Sequence, residues 1–175
     1  SPYSQIGAQR ELLQILAYEP MILLSVVGMY MVTKSFYVAN IAAFPYPLIN
    51  YLPGVFAGLV YILTIKLRKS PFDLATSHHA HQELVKGITT EYTGRSLAWI
   101  ELAHFYETTF LLGFIYLFFA ATPLIAILAL IAVYFLEILI DNVTARVKWE
   151  YMLFVSWAVT LVLGFGNIIV LMFSK

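Results

Sequence analysis

The chain has 175 residues, 61% of them hydrophobic and 11% charged, with a mean hydropathy of +0.83. Ten basic and ten acidic residues cancel, and there is no cysteine. This excludes nucleic acid as a partner drawn by global charge, a disulfide framework, and Cys-ligated iron–sulfur clusters on this chain.

A charged share about half that of a soluble domain predicts an all-α integral membrane protein. A bilayer core takes about 20 apolar residues per helix, and five stretches meet that length: 12–33, 48–67, 97–119, 123–141 and 151–173. The expected architecture is one polytopic bundle over 1–175, with five spanning helices. Pro45 and Pro47 mark the first connection. Residues 120–122 form a bare turn, with Pro123 suited to the N-terminal position of the next helix. The polar segment 142–150 is short.

The long connection, about 68–96, is the polar centre of the sequence. It holds Asp73, Glu83, Glu91, His78, His79 and His81, with Pro71 and Gly94 as turn signals. Its stretch 81–91 fits a short interfacial helix. The three histidines have no standard zinc spacing and no cysteine beside them, so a solvated or subunit-facing loop is the better reading, and no metal site is expected.

Lys and Arg counts set the orientation. With five alternating helices, Arg10, Lys66, Arg68, Lys69, Lys86, Arg95, Arg146 and Lys148 share one side, against Lys34 and Lys175 on the other. The N-terminus and the long loop are then cytoplasmic, the C-terminus is outside, and the chain sits in the cell membrane.

Ionisable residues inside apolar helices are the main functional signal. A central charge costs about 2.5–3.5 kcal/mol on insertion scales, and such residues mark ion or proton paths. Glu101, His104 and Glu107 are spaced by three on the third span. Each step turns the helix by about 300° and climbs about 4.5 Å, so the three share a stripe roughly 120° wide. With a water or two, such a stripe can pass protons, and histidine is the side chain that titrates nearest neutrality. The alternative is a buried polar cluster that ties helices together. Glu19 precedes Pro20, whose missing N–H frees a carbonyl one turn earlier. It is expected near the stripe, or paired with a cation of another span. Glu137 and Asp141 share a face of the fourth span, with Arg146 and Lys148 close behind. There an interfacial ion-pair cluster competes with a transport role. Tyr46, Tyr51, Trp149 and Tyr151 read as interfacial anchors.

The long loop also carries a resemblance. Ser70-Pro71-Phe72-Asp73, then Gln82-Glu83-Leu84-Val85-Lys86-Gly87, then Thr90-Glu91-Tyr92-Thr93-Gly94 resembles the loop pattern PFD…E-Q-E-L…G…E-Y-S-G. That pattern belongs to the NADH dehydrogenase subunit 1 family of complex I. Tyr3 to Arg10 and Ala17-Tyr18-Glu19 resemble the start of a middle helix of the same family. Ser77-His78-His79 and Ala103-His104-Phe105-Tyr106-Glu107 are similar to its energy-converting [NiFe] hydrogenase branch, which includes the Ech type and formate hydrogenlyase.

The resemblance implies a subunit joining the electron-transfer arm to ion translocation, and the last five helices of about eight. Glu19, Asp73, Glu83 and Glu91 match acidic positions of the family. By ungapped count from Gly94, a further family Glu falls on His104, with Glu101 one turn away. The implied translocation set is Glu19, Glu101, His104, Glu107, Glu137 and Asp141. The implied docking set is Asp73, Glu83, Glu91 and Arg95. No catalytic residue or cofactor is expected on this chain. A NiFe centre and iron–sulfur clusters belong to hydrophilic hydrogenase-like or dehydrogenase partners, beside antiporter-like membrane subunits. Two alternatives are the quinone-site subunit of a complex I-type NADH:quinone oxidoreductase and a purely structural membrane anchor.

Overall fold

The structure is a computed structural model that describes residues 2–68, 70–72, 87–145 and 147–173. Among these, every regular element is helical: α1 (Pro2–Thr33), α2 (Val38–Ala42), α3 (Pro53–Lys66), α4 (Gly94–Leu117), α5 (Pro123–Val143), α6 (Trp149–Val159) and α7 (Gly166–Phe173). A π-helical segment, Thr160–Phe165, joins α6 to α7 without a break. Short 3₁₀ turns lie at Leu48–Asn50 and Gly87–Thr89.

Three of the expected spans are long and apolar enough to cross a bilayer: Ser4–Thr33, Pro123–Val143 and Trp149–Phe173. The other two differ in kind. α4 has 24 residues, about 36 Å of helix, but it carries Arg95, Glu101, His104 and Glu107. α3 has only 14 residues, about 21 Å against a hydrocarbon core of about 30 Å. Its expected start at Leu48 is instead the 3₁₀ turn. Pro53 explains the break, because it lacks the N–H that would continue a helix from Ile49 and fits the first helical position. α1 begins ten residues earlier than the apolar count implies, since polar residues 2–11 propagate a helix without being bilayer-soluble. Pro20 lies inside α1 without interrupting it. α4 starts at Gly94, whose φ of +55 suits the residue without a Cβ.

The core forms where α1, α3 and α6 pack together, with the α4–α5 pair resting on α3. α1 presents Gln14, Ala17, Tyr18, Met21, Ser25 and Met29 inward, all buried, at the three-to-four spacing of a helix face. Met21, Leu52, Val55, Ile62 and Met152 fill the centre. The α4–α5 turn is pinned to the start of α3. The Ile49 N–H donates to the Phe118 carbonyl at 3.2 Å, and the Phe56 ring meets Phe118 and Phe119 edge-on at 5.2 and 5.4 Å. Buried hydroxyls bond one turn back, Ser25 to the Met21 carbonyl and Ser156 to that of Met152, so no buried donor is left over there. Leu124, Leu128, Ile131 and Phe135 on α5 are exposed, as suits a surface toward lipid or a neighbouring helix.

Because α3 starts inside the bundle, its first N–H groups need acceptors. Asn167 of α7 supplies one: its Oδ1 accepts from Gly54 N at 2.9 Å and Val55 N at 3.1 Å. Its Nδ2 donates to the Tyr51 carbonyl at 3.1 Å. The approach is close. A Cβ at Gly54 would lie 2.7 Å from the Leu163 carbonyl oxygen of the π-helical segment. Backbone cannot yield as a flexible side chain can, so Gly54→Ala is expected to destabilise by about 1–3 kcal/mol. Thermal unfolding of the purified protein in detergent checks this, and an unchanged Tm would refute the close approach.

Candidate functional site

Ionisable residues from three helices meet at one end of α3. On α1, Glu11, Gln14 and Tyr18 lie at i, i+3 and i+7, which puts them on one face. Lys66 ends α3, and Arg68 follows with a φ of 53. α4 contributes Glu107. The Lys66 Nζ lies 2.6 Å from Glu107 Oε1 and donates to the Tyr18 hydroxyl at 2.8 Å. The same ammonium sits 4.1 Å from the centre of the Tyr18 ring, within cation–π range. Arg68 Nη2 donates to Glu11 Oε1 at 2.7 Å. The Gln14 amide donates to the Phe72 carbonyl, tying the loop entrance to α1. A cavity of about 20 Å³ lies among Glu11, Gln14, Tyr18, Lys66, Arg68 and Glu107.

The cluster holds two cations and two carboxylates, so it carries no net charge in an apolar bundle. The two pairs differ in burial. Arg68 and Glu11 are 21% and 17% exposed, whereas Glu107 is 37% exposed. Glu107 is therefore the more accessible carboxylate of the two.

A second polar junction lies at the end of α5. Asp141 Oδ1 accepts from Ser70 N at 2.9 Å, and Ser70 Oγ donates to the Thr144 carbonyl at 2.9 Å. The Val147 N–H donates to the Pro71 carbonyl at 3.1 Å. One turn earlier, Glu137 is fully buried.

The acidic stripe of α4 winds from outside to inside. Glu101 is exposed, His104 is half-buried with its backbone carbonyl accepting from Thr108, and Glu107 is held by Lys66. Glu19 is exposed on α1. Its neighbour Tyr18 is the α1 side chain that reaches Lys66. Glu91 is exposed and, with Pro2, Ser4, Gln5 and Ala8, lines an open cleft of about 490 Å³. Arg95 is exposed in the first turn of α4. Asp73, Glu83, His78, His79, His81 and Arg146 lie outside the described residues, as does most of the segment read as an interfacial helix.

Sequence reasoning missed Glu11, Gln14 and Tyr18 as a site, and used Lys66 and Arg68 only for orientation. The signal was present: three polar side chains share one face of α1, and two cations stand at the end of a short apolar helix.

Comparison with known proteins fits this arrangement. The family model for NADH dehydrogenase matches residues 1–172. The chain belongs to the NADH dehydrogenase subunit 1 family. H-type subunit 2 of the NADH-quinone oxidoreductase of Syntrophobacter fumaroxidans is 27% identical over 97% of this chain and 54% of that protein. Formate hydrogenlyase subunit 4 of Escherichia coli is 37% identical over 54% of this chain and 31% of its own length. Against a solved structure of the membrane-bound sulfane sulfur reductase, an archaeal respiratory membrane complex, the TM-score is 0.75 at 22% identity, covering 97% of this chain and 60% of that one. That likeness carries the fold. The chain spans about half the length of the family relative that it matches end to end. It is a multi-pass membrane protein of a family whose members are subunits of oxidoreductase complexes.

Proposed function

We propose that this chain is the membrane subunit of an energy-converting hydrogenase-type complex, coupling electron transfer in partner subunits to proton or sodium movement. The observation that carries the reading is the Lys66–Glu107 pair at 2.6 Å between α3 and α4. A carboxylate in a membrane helix, held by a movable ammonium and approached along a line of Glu101 and His104, suits ion transfer better than packing does. Glu19, Glu137 and Asp141 extend the acidic set toward α1 and α5. The loop residues Asp73, Glu83, Glu91 and Arg95 form the docking side for the hydrophilic arm, on the cytoplasmic side by the count of basic residues. The chain is then the C-terminal part of a subunit of about eight helices, as one transmembrane domain. The NiFe centre and iron–sulfur clusters sit on partner subunits.

The 37% identity to formate hydrogenlyase subunit 4 supports the hydrogenase branch, as does 34% identity to hydrogenase-4 component C of Escherichia coli over 103 residues. A second reading, the quinone-site subunit of an NADH:quinone oxidoreductase, draws on the match to the Syntrophobacter fumaroxidans protein over 97% of the chain and on the open cleft beside Glu91.

The test uses the whole complex, purified through this subunit and reconstituted in vesicles. Nickel and hydrogen evolution are expected in the wild-type complex, and quinone reduction without nickel would favour the second reading. In the same vesicles Glu107→Gln, which keeps shape and removes titration, is expected to lower ions moved per electron at least fivefold. A ratio equal to wild type would make the cluster a structural tie.

A further inference from the structure

Two features of the cluster are left unused by the Lys66–Glu107 pair. Glu11 Oε2 is buried and meets no hydrogen-bond donor among the described residues, although Oε1 of the same carboxylate holds Arg68. The cavity of about 20 Å³ is lined by both Glu11 and Glu107. A cavity holds a water from about 10–15 Å³ upward, provided two or more polar partners face it. The cavity walls offer two carboxylates, an ammonium, a guanidinium and a phenol.

We propose that this cavity is a site for one ordered water, and that Glu11 is a further proton-relay residue exchanging with Glu107 through it. The inference rests on the ion-translocation reading above and adds to it a residue outside the acidic stripe. A proton on Glu107 leaves its carboxyl O–H for the water, while the water gives one of its own protons to Glu11 Oε2. The water is regenerated, Glu107 ends as a carboxylate facing Lys66, and Glu11 ends neutral beside Arg68. Both cations keep their protons. The transfer therefore swaps which ion pair is charged, and the charge on the lysine or the arginine holds the proton's former or future site open. Beyond Glu11 the path reaches solvent in one turn. Ala8 lies three residues back on the same face of α1 and lines the cleft that also holds Glu91.

The experiment measures ions moved per electron in vesicles carrying the wild-type complex, Glu11→Gln, Glu107→Gln and the double variant. One relay predicts that Glu11→Gln falls as far as Glu107→Gln, and that the double variant falls no further. A Glu11→Gln ratio at wild type beside a lowered Glu107→Gln ratio would remove Glu11 from the path and leave the ion-translocation reading standing. Fold-losses that multiply in the double variant would mean two separate routes, against the relay. Wild-type ratios in all variants would overturn both. Should Glu11→Gln fail to assemble, the wild-type complex decides by itself. A map that resolves ordered water should show one about 2.7–3.2 Å from Glu11 Oε2, and a cavity closed by a side chain or a lipid tail would sink the proposal.

Discussion

Replacing Arg68 with Leu is expected to remove most of the assembled protein from the membrane. The reason is the state in which it leaves Glu11. The Arg68–Glu11 pair is mostly buried, at 2.7 Å, and links the loop after α3 to α1. Breaking such a pair from one side leaves a buried charge without its counter-ion, which costs about 3–5 kcal/mol. That is a large part of the stability of a typical domain. Removing both partners is milder, because apolar side chains of similar volume replace a buried pair with little loss. Glu11→Leu with Arg68→Leu is therefore expected to recover most of the yield lost in the single variant. Native gels of solubilised membranes read both. A double variant as poor as the single one would mean that Arg68 acts through some contact other than Glu11.

Asn167→Leu is expected to give the second large loss. The side chain is nearly isosteric, so the change tests hydrogen bonding. Gly54 N and Val55 N lose their acceptor and the Tyr51 carbonyl loses a donor, within a bundle where water does not replace them. Each unmet buried group costs about 1–3 kcal/mol, so the summed effect exceeds that of Gly54→Ala. Asn167→Asp keeps both acceptor contacts and places a negative charge at the positive end of α3, so it is expected to retain more stability than Asn167→Leu. Equal melting temperatures for the Leu and Asp variants would show that Asn167 only fills space.

These expectations concern contacts between distant parts of the chain. Glu11 and Arg68 are 57 residues apart, and Asn167 and Gly54 are 113 apart. Nothing local announces which cation meets which carboxylate. The sequence offered Glu19, beside a proline, as the acid of the first span. Yet the helix turns by about 100° per residue, and it is Tyr18 that faces Lys66 while Glu19 lies exposed. In the same way Glu101, His104 and Glu107 were legible as a stripe, but their unequal burial was not. Only the position of α4 against the end of α3 brings Glu107 to Lys66 and leaves Glu101 outside.

By itself the sequence determined the helical class, the membrane setting, the family and the apolar stretches. All of these follow from composition, local periodicity and a contiguous loop motif, which do not depend on how the helices meet. It also marked Pro53, which shortens α3, though the apolar run 48–67 concealed the break. Tertiary structure alone decided the rest: the capping of α3 by Asn167, the π-helical turn whose carbonyl crowds Gly54, and the four-residue charge cluster around a cavity of about 20 Å³. The physical reason is range. Hydropathy and helix propensity act within a few residues of the chain, whereas ion pairs, caps and cavities are set by helices that approach each other only once the bundle has packed.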